Sequence, residues 1–406
     1  MLLLVHCSDA AQGDLDGRGS SREPGGAAGE TPSGSGSTGD DPPARPPAAP
    51  GDAGPSTPAA DGGVDAKPKG PLFAYVGGYG ATISAFSVDA STGALAARGT
   101  TNVATGNPSY LAVHPDSTFL YALSEVGGGR VSAYAIDRST GALTYLNDVS
   151  SRGSGPAHVA TDATGRWVFV ANYGDGAIAV LPVQADGRLG EATATRNAGA
   201  NAHMMVASPG NGHVYVPCKG AGYVAQYRFD PQAGTLTPLT PATVASAPGA
   251  GPRHIAFHPS GKFAYVINEL NLTMTAYAVD AATGALTEIE TKSTLPAGVT
   301  GGSGAAVRVH PSGKFLYGSN RGHDSIVVFA LDEATGRMTL RGHTLTGGAT
   351  PRDFGLDPRG TLLFAANQGA GTLVPFRIDP AQGTLTATAA PVNVATPAFV
   401  GLVNLP

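Results

Sequence analysis

The sequence has little cysteine, little charge and few aromatic side chains. Of its 406 residues only 2 are Cys, 14% are charged and 7% are aromatic. Two cysteines exclude a disulfide-rich scaffold, and the absence of any run of eighteen apolar residues excludes an apolar membrane-spanning helix. Glycine (58) and proline (32) are abundant instead. Because both penalise helix interiors and both recur along the whole chain, a mostly helical protein is excluded as well.

Charge and chain breakers are unevenly distributed. Between Ser8 and Gly70, 24 of 63 residues are Gly or Pro, and ten acidic residues face five basic ones. Such a segment cannot bury enough apolar area to offset its ordering entropy, so residues 8–70 are predicted to be a disordered acidic tether. Residues 71–406 carry 20 acidic and 20 basic residues. This balance argues against a nucleic-acid partner, which needs a basic face.

The first seven residues, MLLLVHC, form a short apolar run that ends in Cys7. The run is similar to the end of a bacterial lipoprotein signal, in which the cysteine is lipidated, but His6 stands where a small residue is expected and no basic n-region precedes it. We interpret residues 1–7 as a truncated lipoprotein signal, the alternative being a segment without function. On that interpretation we expect membrane attachment through Cys7 and a location in the cell envelope rather than the cytoplasm.

From Pro71 onward the sequence repeats one turn at nearly fifty-residue spacing. Each copy places an Asp, or once a Gln, before a Gly, and is predicted to be a hairpin turn in which the Asp binds the backbone and the Gly supplies a positive φ. The seven copies are DASTGAL (89–95), DRSTGAL (137–143), QADGRL (184–189), DPQAGTL (230–236), DAATGAL (280–286), DEATGRM (332–338) and DPAQGTL (379–385).

A second turn recurs between these copies and is followed each time by an apolar strand. Its copies are HPDS (114–117), DATG (162–165), HPSG (258–261), HPSG (310–313) and DPRG (357–360). Four short strands per forty to fifty residues are typical of a β-propeller, so the sequence predicts an all-β, seven-bladed β-propeller over 71–406. The first blade lacks its innermost strand. We therefore expect residues 396–405 to close the ring by pairing with this N-terminal blade.

The predicted topology brings charged residues to one mouth of the central channel. Both turns lie on one face of the propeller. The innermost strand of each blade therefore begins on the opposite face, and the second strand ends there. The ionisable residues at those positions are His203, Arg253, Glu269, Arg321 and Arg352, with Lys219, His158, His254 and Glu125 as further candidates. Three arginines among few acids predict an anion-binding site, the alternative being a solvated rim of ion pairs. His114, His258 and His310 fall in the turns of the far face and are predicted to be structural.

Four stretches resemble one family, the lactonases with seven blades, which includes bacterial propeller-type 6-phosphogluconolactonase and fungal carboxy-muconate lactonizing enzyme. The stretches are NAHMMVASPGNGHVYVP (201–217), GPRHIAFHPSGKFAYVINEL (251–270), GSNRGHDSIVVF (318–329) and TPRDFGLDPRG (350–360). The resemblance covers essentially all of 71–406. It implies an active site of one His, two Arg and one Glu, which fall on His203, Arg253, Arg321 and Glu269, and it implies neither a metal nor another cofactor.

The resemblance implies that the protein is a carboxylic-ester hydrolase. Our hypothesis is that it hydrolyses a sugar-acid lactone such as 6-phosphogluconolactone. His203, with an ordinary pKa, is the predicted general base. Glu269 is expected to orient water or His203, or to act as the acid. Arg253 and Arg321 are expected to stabilise the oxyanion and clamp an anionic group. The predicted substrate-binding residues are Arg352, His254, Lys219 and His158.

Two alternative functions are compatible with the same residues or with the same propeller fold. One is a muconate-type lactone cyclase or cycloisomerase, and the other is a non-catalytic binding module at the cell surface. In each case we expect a small anionic ligand and a monomeric protein.

Overall fold

The structure, a computed structural model, describes residues 70–406, and these residues form 29 strands and no helix. The strands in chain order are β1 (Leu72–Gly78), β2 (Thr82–Val88), β3 (Leu95–Asn102), β4 (Leu111–Val113), β5 (Phe119–Ser124), β6 (Arg130–Ile136), β7 (Leu143–Ser150), β8 (Pro156–Thr161), β9 (Trp167–Asn172), β10 (Ala177–Pro182), β11 (Ala194–Asn197), β12 (Val206–Ala207), β13 (His213–Cys218), β14 (Tyr223–Asp230), β15 (Thr235–Ala245), β16 (Pro252–Phe257), β17 (Phe263–Asn268), β18 (Thr273–Val279), β19 (Leu286–Ser293), β20 (Ser303–Val309), β21 (Phe315–Arg321), β22 (Ser325–Leu331), β23 (Met338–Leu345), β24 (Pro351–Leu356), β25 (Leu362–Asn367), β26 (Thr372–Ile378), β27 (Leu385–Ala387), β28 (Val392–Asn393) and β29 (Pro397–Asn404).

These strands pair into seven antiparallel sheets, which confirms the predicted seven-bladed, all-β propeller for the described part of the chain. Blade 1 has the order β29-β1-β2-β3, and blades 2 to 6 are β4 to β7, β8 to β11, β12 to β15, β16 to β19 and β20 to β23. Blade 7 contains β24 to β27, with the short β28 paired to β26. Within residues 70–406 there is no helix long and apolar enough to cross a membrane. The predicted signal (1–7) and tether (8–70) lie outside the described residues, apart from Gly70.

The last strand closes the ring, as predicted. β29 runs antiparallel to β1 from the pair Leu72↔Asn404 to the pair Gly78↔Pro397. It lies on the inner side of β1 in the sheet, the position that the first strand occupies in every other blade. The first and last strands of the described chain therefore share one sheet.

Local turn chemistry explains why each blade folds where it does. In blade 1, Asp89 Oδ1 accepts hydrogen bonds from the backbone N–H of Ser91 (2.7 Å) and Thr92 (3.1 Å), and Gly93 takes a φ of 77°. The Asp side chain thus replaces a backbone partner, and glycine adopts a conformation that other residues resist. Blade 3 has Gln184 in place of the Asp, and its outer strand does not begin until Ala194.

Burial follows the position of each strand in its blade. Second strands such as β9 are buried along their whole length, because the neighbouring blades cover both faces. Outer strands such as β3 are mostly exposed. This gradient places the apolar core between adjacent sheets and near the channel. The side chains at the mouth come from the start of the innermost strand and the end of the second strand of a blade.

Repeated hydrogen bonds join each blade to the next. In four blades a buried tyrosine of the second strand donates its hydroxyl proton to the glycine carbonyl of the neighbouring hairpin turn. These pairs are Tyr75 to Gly141 (2.9 Å), Tyr215 to Gly284 (2.5 Å), Tyr265 to Gly336 (3.1 Å) and Tyr317 to Gly383 (2.9 Å).

The turn histidines form a second set of contacts between blades. Nε2 of each lies within hydrogen-bond distance of a glycine carbonyl in the next blade, which requires a proton on Nε2. The pairs are His114 with Gly165 (3.1 Å), His258 with Gly313 (3.1 Å) and His310 with Gly360 (2.7 Å).

Candidate active site

The innermost strands carry an extra residue where they enter the mouth of the channel. In blade 5 the register shifts between Pro252 and His254, so Arg253 has no partner opposite it, and in blade 7 the same shift leaves Arg352 unpaired. Similar shifts occur at the starts of the inner strands of blades 1, 3 and 6. A β-bulge bends the strand and turns the extra side chain in a new direction. The fold thereby presents two arginines at one end of the channel.

Glu269 is the centre of an ion cluster at this mouth. It directly follows β17, and its carboxylate lies 3.0 Å from Lys219 Nζ, 3.0 Å from Arg253 Nε and 3.3 Å from Arg321 Nη2. Burial alone would raise the pKa of Glu269, but the charges of Arg253, Arg321 and Lys219 outweigh that effect and bring it down to about 2. Glu269 is therefore ionised at any working pH.

Arg253 is the most deeply placed cation of this cluster and is only 2% exposed. Its Nη1 donates to the carbonyl of Ala305 (2.7 Å) and lies 3.1 Å from His254 Nε2. Burial and the charges of Arg321 and Arg352 lower the pKa of Arg253 to about 9, so it still carries a charge at neutral pH. The Nε–H of Arg253 is occupied by its ion pair with Glu269, whereas the Nε–H of Arg321 has no hydrogen-bond partner within the described residues. Arg321 thus keeps a donor for another acceptor.

His203 lies beside Arg253 in the corresponding position of blade 4 and is 5% exposed. Its ring packs edge-on against Tyr173 (5.5 Å between centroids) and His254 (5.1 Å). Nδ1 of His203 is buried and has no hydrogen-bond partner among residues 70–406. Burial and the neighbouring charges of Arg253 and Arg352 hold the pKa of His203 well below its ordinary value. The expectation of an ordinary pKa is therefore wrong, and the imidazole is neutral at pH 7.

A different group of side chains forms the other side of the mouth. Glu125 accepts hydrogen bonds from the hydroxyl groups of Tyr79 (2.9 Å) and Ser109, both at Oε2. The guanidinium of Arg352 lies over the Tyr79 ring, 5.1 Å from its centroid. Within the described chain no carboxylate lies at ion-pair distance from Arg352. No ion pair within the described chain therefore neutralises the charge of Arg352.

A small recess lies between these two groups. Its lining residues come from six blades and are Ser109, Tyr110, Glu125, Ala157, His203, Arg253, His254, Arg352 and Ala398. Lys219, Arg321 and Glu269 are joined to this lining through the ion cluster at Arg253. The structure thus brings together seven of the eight predicted catalytic and substrate-binding residues.

His158 is the one predicted site residue that neither lines the recess nor belongs to the ion cluster around Glu269. It is 2% exposed and packs behind Tyr110, with 4.4 Å between the ring centroids. Burial and the charges of Arg308 and Arg253 lower the pKa of His158 to about 3. The ring is therefore a neutral part of the channel packing.

The predicted set lacks three residues that the structure places at the site, namely Tyr79, Ser109 and Tyr110. Ser109 and Tyr110 start the inner strand region of blade 2, so topology alone locates them at the mouth, but a search for charged side chains passes over them. It also lacks the buried pair between Arg308 Nη2 and Asp353 Oδ1 (2.9 Å). Among residues 70–406, no three His, Cys, Asp or Glu side chains are grouped to hold a metal ion.

Comparison with known proteins places this geometry in a family. A family model described as "Lactonase, 7-bladed beta-propeller" matches residues 73–402. The chain is 36% identical over 264 residues to a 6-phosphogluconolactonase of Bacillus subtilis (strain 168), which covers 62% of this chain and 74% of that relative. It is also 36% identical to a 6-phosphogluconolactonase of Pectobacterium carotovorum, covering 50% of this chain and 60% of the relative.

A solved structure gives the same result over a longer stretch. The periplasmic gluconolactonase PpgL of Pseudomonas aeruginosa superposes with a TM-score of 0.77 at 31% identity, covering 82% of this chain and all of that one. Since the family model extends over nearly the whole described propeller, the chain belongs to the lactonase family of seven-bladed β-propellers.

Proposed function

We propose that this protein is a lactonase that hydrolyses a sugar-acid lactone carrying an anionic group, such as 6-phosphogluconolactone. The observation that carries the proposal is the charge of the mouth. Four cations (Lys219, Arg253, Arg321 and Arg352) meet two carboxylates there, and the histidines are neutral, which leaves two positive charges unbalanced. A phosphate monoester brings two negative charges. The names of the relatives, 6-phosphogluconolactonase and gluconolactonase, support the reaction class.

In the proposed mechanism His203 is the general base. Neutral imidazole takes a proton from water as the water oxygen attacks the lactone carbonyl. The buried Nδ1 of His203, which has no partner within the described residues, is the atom we assign to this transfer. An imidazolium beside Arg253 and Arg352 is unfavourable, and a bound anion offsets this because it neutralises part of the surrounding charge.

Arg253 and Arg321 act on the carbonyl oxygen. Attack converts this oxygen into an oxyanion, and a preorganised cation in a buried site stabilises developing charge more strongly than water does. The Nε–H of Arg321, which has no hydrogen-bond partner within the described residues, suits this role. When the intermediate collapses, the ring C–O bond breaks and the leaving alkoxide takes the proton from the His203 imidazolium. The products are a hydroxyl group and a carboxylic acid, which releases a proton to the solvent.

Glu269 holds the cations rather than transferring protons. With a pKa of about 2 it has no proton to donate at neutral pH, which argues against its role as the acid. Its three ion pairs fix Arg253, Arg321 and Lys219 in one arrangement. We assign it the role of a positioning residue.

The test is a lactone panel with the purified full chain. The panel contains 6-phosphogluconolactone, glucono-δ-lactone and muconolactone, and a pH indicator follows acid release above the spontaneous rate. We expect the phosphorylated lactone to be the best substrate and His203→Ala and Arg253→Ala to lose at least about 100-fold in kcat/KM. Arg341→Ala, at an exposed position of β23, is the control. Thermal melts check that each variant is folded.

Each other result selects a different function. Full activity in the two variants contradicts the residue assignment. Turnover of muconolactone alone favours the cyclase alternative. Binding of a sugar acid without turnover of any lactone favours a binding module.

A further inference from the structure

The two sides of the mouth differ in whether their cations form ion pairs with a carboxylate. On the side of blades 4 to 6, the three cations share Glu269 at 3.0 to 3.3 Å. On the side of blades 7, 1 and 2, Arg352 rests on the Tyr79 ring and has no carboxylate partner in the described chain. The recess lies between them and is lined from both sides.

The Glu269 cluster is a poor position for a phosphate or carboxylate. Any anion held by Lys219, Arg253 or Arg321 would lie close to the Glu269 carboxylate, which stays ionised because its pKa is about 2. Like charges at such distances repel strongly in a partly buried site. The neutral carbonyl of a bound lactone does not meet this repulsion, and an oxyanion forms there only transiently. Arg352 offers an anion a guanidinium with no carboxylate at ion-pair distance in the described chain. Glu125 lines the same recess, but its carboxylate bonds to Tyr79 and Ser109.

The surroundings of Arg352 form a built site. The Tyr79 ring supports the guanidinium plane, and the Tyr79 hydroxyl is fixed by its bond to Glu125 Oε2. Ser109, which is 3% exposed, donates to the same oxygen. Both bonds use Oε2, so Oε1 of Glu125 has no partner within the described residues and can accept a bond from a substrate hydroxyl. A guanidinium and a separate carboxylate oxygen that line the same recess suit a substrate that carries an anionic group on a polyol chain.

We propose that Arg352, supported by Tyr79 and flanked by Glu125, anchors the anionic end of the substrate, so that the lactone ring points across the recess toward Arg253 and His203. This orientation rests on the proposed lactonase function and makes Arg352 the residue that distinguishes phosphorylated from unphosphorylated lactones. Arg352 then acts through binding of the anion, while its charge disfavours the imidazolium of His203 equally with either lactone.

The test compares 6-phosphogluconolactone with glucono-δ-lactone, which differ by the phosphate alone, in the full chain and in Arg352→Gln. We expect the variant to lose about 10- to 100-fold in kcat/KM for the phosphorylated lactone, mainly through KM, which is the range for losing a hydrogen bond to a charged group. For the unphosphorylated lactone we expect no comparable loss, since it has no anionic group to bind and removal of the charge of Arg352 also makes protonation of His203 easier. Arg352→Lys retains the charge and should restore part of the loss. Arg341→Gln removes the same charge from an exposed strand and is the matched control.

The outcomes separate this inference from the proposed function. Equal losses on both lactones, or no loss on either, overturn the anchor while the lactonase activity stands. If the wild-type protein hydrolyses neither lactone, the proposed function fails, and calorimetry with 6-phosphogluconate decides the anchor independently. Weaker binding by Arg352→Gln than by Arg341→Gln then supports the anchor, and equal binding or no binding overturns it.

Discussion

Replacing Glu269 by Gln removes the charge that holds three cations together while keeping the size of the side chain. Gln also imitates the protonated carboxyl group, so the effect of the substitution can be calculated from the pKa of Glu269. That pKa falls from an ordinary 4.5 to about 2 because the attraction of Arg253, Arg321 and Lys219 exceeds the opposing effect of burial. A folded-state pKa below the unfolded value means that the ionised carboxylate stabilises the fold.

The size of the effect follows from the same pKa values. A decrease of about 2.5 pKa units corresponds to about 3 kcal/mol, since each unit is worth about 1.4 kcal/mol. The contribution is fully present above pH 4.5 and is lost as the pH falls toward 2. With an unfolding entropy of roughly 2 cal/mol/K per residue over residues 70–406, 3 kcal/mol lowers Tm by about 4 °C.

Urea unfolding of wild type and Glu269→Gln at several pH values measures this difference. We expect about 3 kcal/mol at pH 7 and a progressively smaller difference below pH 4.5. The control is Glu191→Gln, since Glu191 is 76% exposed and lies 3.8 Å from Arg152, and it should change stability by no more than about 0.5 kcal/mol. Equal stability of Glu269→Gln and wild type at pH 7, or a difference that does not shrink on acidification, refutes the reasoning.

Three further predictions concern the ring, the contacts between blades and the base. A chain ending at Ala395 lacks β29 and leaves the inner edge of β1 unpaired. We therefore expect it to aggregate, as measured by size-exclusion chromatography. A soluble truncated chain that melts cooperatively would contradict this. Tyr265→Phe removes the bond to Gly336 and should cost about 1 kcal/mol in urea unfolding, whereas Tyr121→Phe should be neutral because the Tyr121 hydroxyl has no partner within the described residues; equal effects would count against the contact. Because the pKa of His203 lies well below 6.5 and the base acts as neutral imidazole, kcat/KM should stay flat as the pH falls from about 7.5 to 6, and a decline centred near 6.5 would exclude His203 as the base.

The fold was predictable because its signals are local and repeat. Each hairpin turn contains its own Asp and Gly chemistry, as at Asp89 and Gly93, so the count of turns predicts the count of blades. Ring closure was predictable because the first repeat lacked a strand and residues 396–405 supplied one. The mouth was predictable for the same reason, since equivalent positions in all repeats converge there.

The sequence could not predict the contacts within the mouth. The bulge that turns Arg253 into the channel and leaves it 2% exposed is a property of strand pairing across two segments. The low pKa of His203 depends on burial and on Arg253 and Arg352, which are distant in sequence. Tyr79 lies one residue beyond the end of β1, the position that Glu269 occupies after β17, but a search for charged side chains passes over it.

Closure of the ring determines when the first blade can form during synthesis of the protein. The side chain of Asn404 donates to the carbonyl of Gly70 at 3.0 Å, across a separation of 334 residues. At translation rates of about 5 to 20 residues per second, roughly 17 to 67 s pass between the appearance of these two residues. During that interval the inner edge of β1 has no partner strand, although the later blades can already pair internally. The nascent chain therefore cannot complete its first blade until β29 has been translated, and we expect chaperones to be needed during this interval.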